Sequence, residues 1–261
     1  MGHAAGNRLA GKRILITGGG TGIGRSCAEF FTAQGARVAV AGRQAEPLRE
    51  TAEAINQERG SGTAVAILGD VSREDDAERI VREAVEDLDG LDGLVNNAGV
   101  FEPGGLFDAS SEQLARVFDV NVRGALLMAQ AAARRMIERG EGGSILNISS
   151  TLGSRPNKGC TVYSASKAAL DNFTAAWALE LAPHQIRVNG IAPAAVDTPI
   201  HHPDPEKRRE SLERMGPMHP LGRVGRPEEI AWAAAYFMSD ESAWTTGAIL
   251  DVDGGINARN V

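Results

Sequence analysis

Cysteine is scarce in this chain. Only two cysteines, Cys27 and Cys160, occur among 261 residues. Two thiols cannot build a disulfide framework or a cysteine-rich metal site, so no metal is expected. Cys27 falls in a segment of helical period and is interpreted as a small buried apolar residue.

Long hydrophobic runs are also absent. The richest apolar segment, Ala231–Met238, is far shorter than the roughly 18 residues that a membrane span requires. The segment Met1–Asn7 lacks the charged start and the apolar run of a signal peptide. We therefore expect a cytoplasmic protein with no membrane partner.

Positive charge is not in excess. The net charge is −7, and no basic stretch is dense enough to form a nucleic-acid surface. The remaining composition, 43% hydrophobic and 23% charged, is ordinary for a globular protein. A chain of this length can bury one large α/β core or two smaller ones.

Apolar runs of strand length alternate with longer segments of helical period. The predicted strands are Arg13–Thr17, Arg37–Ala41, Thr63–Leu68, Gly93–Asn96, Ser144–Ser149, Arg187–Ile191 and Ala248–Val252. The predicted helices are Gly22–Gln34, Glu46–Glu58, Arg73–Leu88, Ser111–Arg139, Val162–Leu181, Glu206–Met215 and Pro227–Met238. Asp70 and Ser72 offer capping oxygens before the third helix.

The alternation of strands and helices determines the predicted fold. Several of the strands are apolar almost throughout, which is typical of strands covered on both faces. Helices that alternate with strands connect those strands by parallel crossovers. Such crossovers imply a doubly wound α/β fold. We predict a single Rossmann-type domain over 1–261, a mostly parallel sheet with helices on both faces.

One stretch breaks the regular alternation. Ala194–Gly216 is rich in proline, histidine and charge, and it follows a late strand. It reads either as a surface excursion or as a mobile lid, and we favour the lid because ligands bind at the carboxyl edge of such sheets. His201 and His202 are interpreted as lid residues, because adjacent residues point apart and no third metal ligand is evident.

A glycine-rich turn follows the first strand. The segment Thr17–Gly24 has the spacing G-x-x-x-G-x-G rather than G-x-G-x-x-G, and Arg25 excludes a P-loop. The simpler alternative is a glycine-rich turn without a ligand. A strand before and a helix after favour dinucleotide binding, in which backbone N–H groups approach a pyrophosphate at a helix N-terminus. The predicted binding residues are Gly18, Thr21, Gly22, Ile23 and Gly24.

The end of the second strand bears on the choice of cofactor. An acid there would bind the ribose diol of NAD, but the sequence is Val40-Ala41-Gly42-Arg43. A guanidinium can bind the 2′-phosphate and stack on the adenine. Arg43 therefore favours NADP(H), while a solvated arginine and NAD(H) remain the alternatives.

Seven segments together resemble the classical short-chain dehydrogenase/reductase family. They are Thr17–Gly24, Asp70-Val71, Asn96–Gly99 with Asn121, Asn147–Ser150, Tyr163–Lys167, Pro193–Thr198 and Val252–Gly255. All occur in the family's order and near its usual spacing. The resemblance extends from about Arg8 to Gly255.

The resemblance implies an active site of Ser150, Tyr163 and Lys167 supported by Asn121. Ser149 and Ser150 are adjacent candidates, and the family's interval of thirteen residues before the tyrosine selects Ser150. Asn121 would hold a water that relays protons to Lys167.

The resemblance also implies a set of cofactor contacts. They are Asp70 and Val71 at the adenine, Asn97, Ala98 and Gly99 at the ribose side, Val196 and Thr198 at the nicotinamide amide or phosphates, and Pro193, Tyr163 and Lys167 beside them. The family commonly has Pro-Gly where this chain has Pro193-Ala194. The added methyl group restricts the backbone there, but we expect binding to persist.

These residue types suit hydride transfer between a nicotinamide and a carbonyl. The cofactor supplies the hydride, and the protein supplies orientation and a proton. Lys167 follows Tyr163 by four residues and so lies on the same helix face, where its charge is expected to lower the pKa of the phenol. Ser150 would donate a hydrogen bond to the substrate oxygen. We predict an NAD(P)-dependent oxidoreductase that interconverts a secondary alcohol and a ketone.

Two other functions fit the same fold. An epimerase-like enzyme would carry a larger substrate domain, for which this chain has no room. A cofactor-sensing protein would be favoured by loss of the tyrosine or the serine, and neither is lost.

The substrate is expected to be a small alcohol or ketone. Phe101 and Leu152 are candidate apolar walls, while Arg155 and Lys158 are interpreted as solvated loop charges rather than anion ligands. The resemblance further implies a homotetramer or dimer assembled through the helices Ser111–Arg139 and Val162–Leu181.

Overall fold

A seven-stranded parallel sheet forms the centre of the computed structural model, which describes residues 7–258. The strands are β1 (Arg13–Thr17), β2 (Arg37–Gly42), β3 (Ala64–Leu68), β4 (Gly93–Asn96), β5 (Gly143–Ile148), β6 (Ile186–Pro193) and β7 (Ile249–Val252). Their order is β3-β2-β1-β4-β5-β6-β7, and every neighbouring pair is parallel. The predicted doubly wound fold is confirmed. The predicted domain also includes 1–6 and 259–261, which lie outside the described residues.

The helices cover both faces of this sheet. They are α1 (Gly22–Ala33), α2 (Ala45–Arg59), α3 (Glu74–Leu88), α4 (Ser111–Phe118), α5 (Ala125–Arg139), α6 (Thr151–Ser154), α7 (Thr161–Leu181), α8 (Pro205–Met215) and α9 (Pro227–Met238). One core cluster joins the sheet to α1, α2 and α9, with Phe31 and Phe237 fully or nearly buried. The other joins it to α3, α5 and α7, with Ile80 and Met136 fully buried. This double coverage explains why the central strands are apolar at nearly every position.

The predicted helix Ser111–Arg139 is wrong in one respect. A π-helical segment, Asp119–Gly124, separates α4 from α5. A single wide turn leaves the apolar period on either side intact, so the sequence pattern does not reveal it. π-Turns inside α-helices occur frequently at functional sites, and this one contains Asn121.

The predicted capping of α3 is also corrected. Arg73 is the N-cap residue of α3, and its side chain makes no capping hydrogen bond. Asp70 instead accepts hydrogen bonds from the backbone N–H and the hydroxyl of Ser72, at 3.0 and 2.7 Å. These bonds close the turn that precedes the helix rather than its first turn.

The carboxyl ends of β1, β4, β5 and β6 meet at one edge of the sheet. Chain order reverses between β1 and β4, and crevices at such switch points are where doubly wound sheets bind ligands. The predicted lid segment leaves this edge directly after β6. Its base is held by a bridge between Val196 and Gly225, and its helix α8 is preceded by the N-cap residue Asp204, whose carboxylate caps the first turn. Movement of this segment stays a prediction.

Two further expectations concern single features. Cys27 is fully buried in α1, as predicted, and burial raises the pKa of its thiol to about 12. Across residues 7–258, no helix combines the length and apolar character needed to traverse a bilayer.

Candidate active site

A cavity of about 380 Å³ opens at the carboxyl edge of the sheet. Most of the residues predicted to bind the cofactor or catalyse the reaction lie in its wall. They are Gly18, Thr21, Gly22, Ile23, Asn97, Ala98, Gly99, Ser150, Tyr163, Lys167, Pro193, Val196 and Thr198. Segments far apart in the sequence are thus brought to one place.

Five predicted residues lie outside this wall. Gly24 lies beneath the glycine loop, and Asn121 is buried behind the cavity. Val71 is buried beside Gly124 of the π-helical segment. Arg43 and Asp70 follow β2 and β3, where the guanidinium lies 4.0 Å from the carboxylate and the Arg43 side chain is 59% exposed.

The glycine loop turns tightly into α1. Gly18 and Gly22 have φ of +65° and +53°, a region that favours glycine. A Cβ on Gly24 would lie 2.3 Å from the carbonyl oxygen of Gly18, so the helix begins directly against the loop. Thr21 is the N-cap residue and makes no side-chain capping bond, which leaves first-turn N–H groups available at the cavity. This arrangement fits the phosphates of a dinucleotide.

Asn97 fastens the glycine loop to the end of β4. Its amide donates hydrogen bonds to the carbonyl oxygens of Thr17 and Gly18, at 2.9 and 3.2 Å. The Thr17 hydroxyl in turn accepts from the backbone N–H groups of Asn97 and Ala98, both at 3.0 Å. The carboxyl ends of β1 and β4, which flank the switch point, are therefore held in a fixed position relative to each other.

Tyr163 and Lys167 lie one turn apart on α7. Their side chains belong to a buried stripe along that helix, which continues through Leu170 and Thr174. The Lys167 Nζ donates a hydrogen bond to the Ile148 carbonyl at 2.8 Å and lies 5.7 Å from the centroid of the Tyr163 ring. The end of β5 thus holds the ammonium beside the phenol.

Ser150 ends the segment after β5 and caps α6. Its Oγ accepts a hydrogen bond from the Leu152 N–H at 3.2 Å, donates one to the Pro193 carbonyl at 3.5 Å, and is close enough to the Tyr163 phenol to lower its pKa. Ser149 also lies in the cavity wall, but its hydroxyl donates to the Lys167 carbonyl at 3.4 Å. The proximity to the phenol supports the choice of Ser150 over Ser149.

Burial dominates the titration of both central groups. Burial raises the pKa of Tyr163 to about 12, although the nearby Ser150 hydroxyl acts in the opposite direction. It lowers the pKa of Lys167 to about 8, against the charge of Asp171. The predicted lowering of the Tyr163 pKa by Lys167 is therefore not found in the chain alone, because loss of hydration outweighs an ammonium whose hydrogen bond goes to Ile148.

Asn121 connects two parts of the site. Its Oδ1 accepts from the Val100 N–H at 2.8 Å, and its Nδ2 donates to the Val100 carbonyl at 3.0 Å and to the Ser166 Oγ at 3.1 Å. Ser166 donates to the Tyr163 carbonyl at 2.7 Å. The side chain of Asn121 therefore ties the loop after β4 to α7, one turn from the phenol.

Sequence reasoning found part of the remaining wall. Phe101 and Leu152 line the cavity as expected, and the Phe101 ring meets Tyr163 edge-on with centroids 4.9 Å apart. Arg155 and Lys158 are exposed and lie outside it.

Other wall residues were missed. Met218 and His219 lie just beyond the predicted lid, and Ile256 follows β7. No motif marks these positions: the turn after α8 brings Met218 and His219 to the cavity, and the return of the chain after β7 brings Ile256.

Comparison with known proteins gives consistent matches over almost the whole chain. Residues 18–257 match the family model described as Enoyl-(Acyl carrier protein) reductase. The chain is 37% identical to a 3-oxoacyl-(acyl-carrier-protein) reductase of Thermotoga maritima, over 95% of this chain and 99% of that protein. It is 38% identical to a sorbitol dehydrogenase of Cereibacter sphaeroides, over 95% of this chain and 98% of that protein.

A solved structure agrees with these matches. The crystal structure of a short-chain type dehydrogenase/reductase from Mycobacterium marinum superposes with a TM-score of 0.90 at 38% identity. The alignment covers 96% of this chain and 97% of that one.

Proposed function

The chain belongs to the classical short-chain dehydrogenase/reductase family, and from that premise we propose that it interconverts a secondary alcohol and a ketone with NADP(H). The observation that carries the proposal is the convergence of Ser150, Tyr163 and Lys167 on one cavity beside the glycine loop. The relatives whose names describe reductases of oxoacyl groups and dehydrogenases of sugars or sugar alcohols agree with an alcohol or ketone substrate.

The residues of the cavity wall have different roles in the proposed reaction. The nicotinamide, when bound, supplies or accepts the hydride. Tyr163 is the general acid in reduction, and a pKa of about 12 keeps its phenol protonated at neutral pH. Ser150, in the same wall as that phenol, orients the substrate oxygen. Lys167 contributes its charge and holds the cofactor, while Asn121 positions α7 and supports a proton path to Lys167.

The preference for NADP(H) rests on the end of β2. Arg43 is more than half exposed and meets Asp70 only at 4.0 Å, a distance at which an exposed ion pair contributes little. Its guanidinium is therefore available to a 2′-phosphate, and no acid stands at the strand end to bind a free ribose diol.

We also propose that the protein works as a homo-oligomer, a dimer or a tetramer. Large apolar side chains are exposed on its surface, among them Trp244 and Leu179. Such residues are common at subunit interfaces.

Consumption of NADPH with a panel of ketones tests the function. We expect sustained oxidation, with NADPH giving a higher kcat/KM than NADH. Tyr163→Phe should bind the cofactor like the wild type but lose about 10²- to 10⁴-fold in turnover, the usual contribution of general acid–base catalysis. Full activity of that variant would refute the assigned mechanism, and tight binding without oxidation across the panel would indicate a cofactor sensor instead.

A further inference from the structure

One polar atom of the cavity wall lacks a partner. His219 is 3% exposed and lies in the cavity wall, yet its Nε2 is buried with no hydrogen bond. Within residues 7–258, other buried side-chain atoms also lack partners, for example on Asn96 and Ser164, but those residues do not line the cavity. Buried polar groups normally have partners, so this atom calls for one.

The other ring nitrogen determines what that partner must be. The Nδ1 of His219 lies 3.0 Å from the carbonyl oxygen of Met215. A carbonyl oxygen only accepts hydrogen bonds, so Nδ1 carries the proton. In the neutral ring, Nε2 is then an acceptor, and only a hydroxyl or N–H group can satisfy it.

The wall residues that precede His219 most closely along the chain are apolar. They are Met215, in α8, and Met218, and Ile256 also lines the cavity. Gly254 packs directly on the ring, because a Cβ there would lie 3.4 Å from the Cβ of His219. Ser150 and Tyr163, the groups proposed to hold the reacting oxygen, come from other elements of the wall. A substrate in this cavity therefore meets two separate sets of polar groups.

We propose that His219 is a specificity-determining residue that accepts a hydrogen bond from a second hydroxyl group of the substrate. The substrate class is then a hydroxyketone and the corresponding diol, rather than a ketone with a purely apolar remainder. This inference rests on the proposed redox function and names the substrate of the same site. A substrate analogue without the second hydroxyl leaves the buried Nε2 of His219 unpaired. The site should therefore bind such an analogue less well than the diol or hydroxyketone.

Paired substrates test the proposal. A series of diols, with the second hydroxyl moved stepwise along the chain, is compared with the monohydric alcohol of the same length. We expect kcat/KM for the best diol to exceed that of its monohydric partner by about two- to tenfold, the effect of one neutral hydrogen bond. A trapped water that satisfies Nε2 would give no such preference, and equal rates across every pair overturn the proposal.

Variants at His219 test whether this residue causes the preference for diols. His219→Leu removes both ring nitrogens and should abolish the diol preference, so that the ratio of kcat/KM between each diol and its monohydric partner falls to about one. His219→Gln keeps a hydrogen-bond acceptor and should retain part of the preference. His202→Leu is the matched control, since His202 lies outside the cavity wall, on the predicted lid segment. Its preference should equal that of the wild type.

The outcomes separate this inference from the function on which it rests. Diol preference that survives in a folded His219→Leu protein overturns the role of His219. If that variant does not fold, the wild-type series and His219→Gln decide: a diol preference that is reduced but partly retained in His219→Gln supports the proposal, and one equal to that of the wild type overturns it. Absence of turnover with every alcohol and ketone overturns the redox function and this inference with it, whereas turnover without diol preference overturns this inference alone.

Discussion

At the scale of the residue, Asp171 is the charged group that acts on Lys167 from within the same helix. It follows Lys167 by four residues, and its charge raises the pKa of the ammonium that burial lowers. Its own carboxyl is half-buried, with burial raising its pKa and the nearby Ser149 hydroxyl and Lys167 charge opposing that rise. The balance between burial and Asp171 leaves the pKa of Lys167 at about 8.

The pH profile of ketone reduction should reflect this balance. We expect kcat/KM to be level below about pH 8 and to fall above it, because Lys167 loses its proton as the pH rises through its pKa. Asp171→Asn removes the negative charge that favours the ammonium, so the fall should begin at lower pH. A full pH profile of each protein, measured with saturating NADPH, gives the two midpoints.

Glu180→Gln provides the control for this experiment. Glu180 is exposed near the end of α7. Its replacement by glutamine removes one negative charge from the same helix at a distance from the site. Its midpoint should match that of the wild type. An unchanged midpoint in Asp171→Asn would show that the carboxylate does not act on the group that titrates.

At the scale of the element, the start of α1 depends on the absence of a side chain at Gly24. An alanine is normally the better helix former, so its intrinsic propensity would favour the substitution. Here the added Cβ would meet the Gly18 carbonyl oxygen at 2.3 Å and the Asn97 Nδ2 at 2.5 Å. Steric conflict with the loop should therefore outweigh the gain in propensity.

Gly24→Ala should lower the free energy of unfolding by about 1–3 kcal/mol, as overpacking typically does. It should also weaken NADPH binding, because relief of the clash displaces the loop that approaches the phosphates. Thermal unfolding without cofactor and equilibrium titration with NADPH measure the two effects. Gly216→Ala is the control, since the nearest atoms to its Cβ lie at an ordinary 3.6 Å. Equal stability of the two variants would contradict the predicted clash.

The π-helical segment shows how an element is adapted to a site. Asn121 uses its whole side-chain amide to bind Val100 and Ser166, which requires the helix to present it at a particular position. The wide turn falls between two ordinary helices and contains this residue. The π-helical segment between α4 and α5 thus lies at the point where Asn121 is hydrogen-bonded to Ser166 of α7.

At the scale of the whole molecule, β7 is an edge strand with an exposed apolar surface. It pairs with β6 on one side, and Ile249 and Leu250 are 37% and 42% exposed. The indole of Trp244 is fully exposed in the turn that precedes the strand. Uncovered edges of this kind favour association with another chain.

We expect light scattering coupled to gel filtration to show a dimer or a tetramer. The double variant Trp244→Ser, Leu250→Lys should shift the protein to a smaller species, because it removes apolar contact area and places a charge in the interface. Leu68→Lys is the control, since Leu68 is exposed on β3 at the opposite edge of the sheet. A monomeric wild type, or a double variant with unchanged mass, would refute this interface.

Much of the architecture could be predicted because it depends on local patterns. Continuous apolar runs such as Arg37–Ala41 and helical periods such as Pro227–Met238 are determined by nearest neighbours along the chain, and both appear in the structure. The choice of Ser150 over Ser149 came instead from the family's interval before the tyrosine and stays a prediction. The π-helical turn at Asn121 was missed, because a single wide turn leaves the apolar period on either side intact.

The sequence by itself determined the order of strands and helices, the glycine turn into α1, and the residues that carry the proposed chemistry. The tertiary structure alone decided which of these residues share a cavity, what surrounds them and how they titrate. Burial, not the four-residue spacing, sets the pKa of Tyr163 and Lys167. His219 and Ile256 lie in the cavity wall because chain segments distant in sequence pack together there. The hydration that side chains lose in that packing depends on the folded molecule and not on any sequence motif.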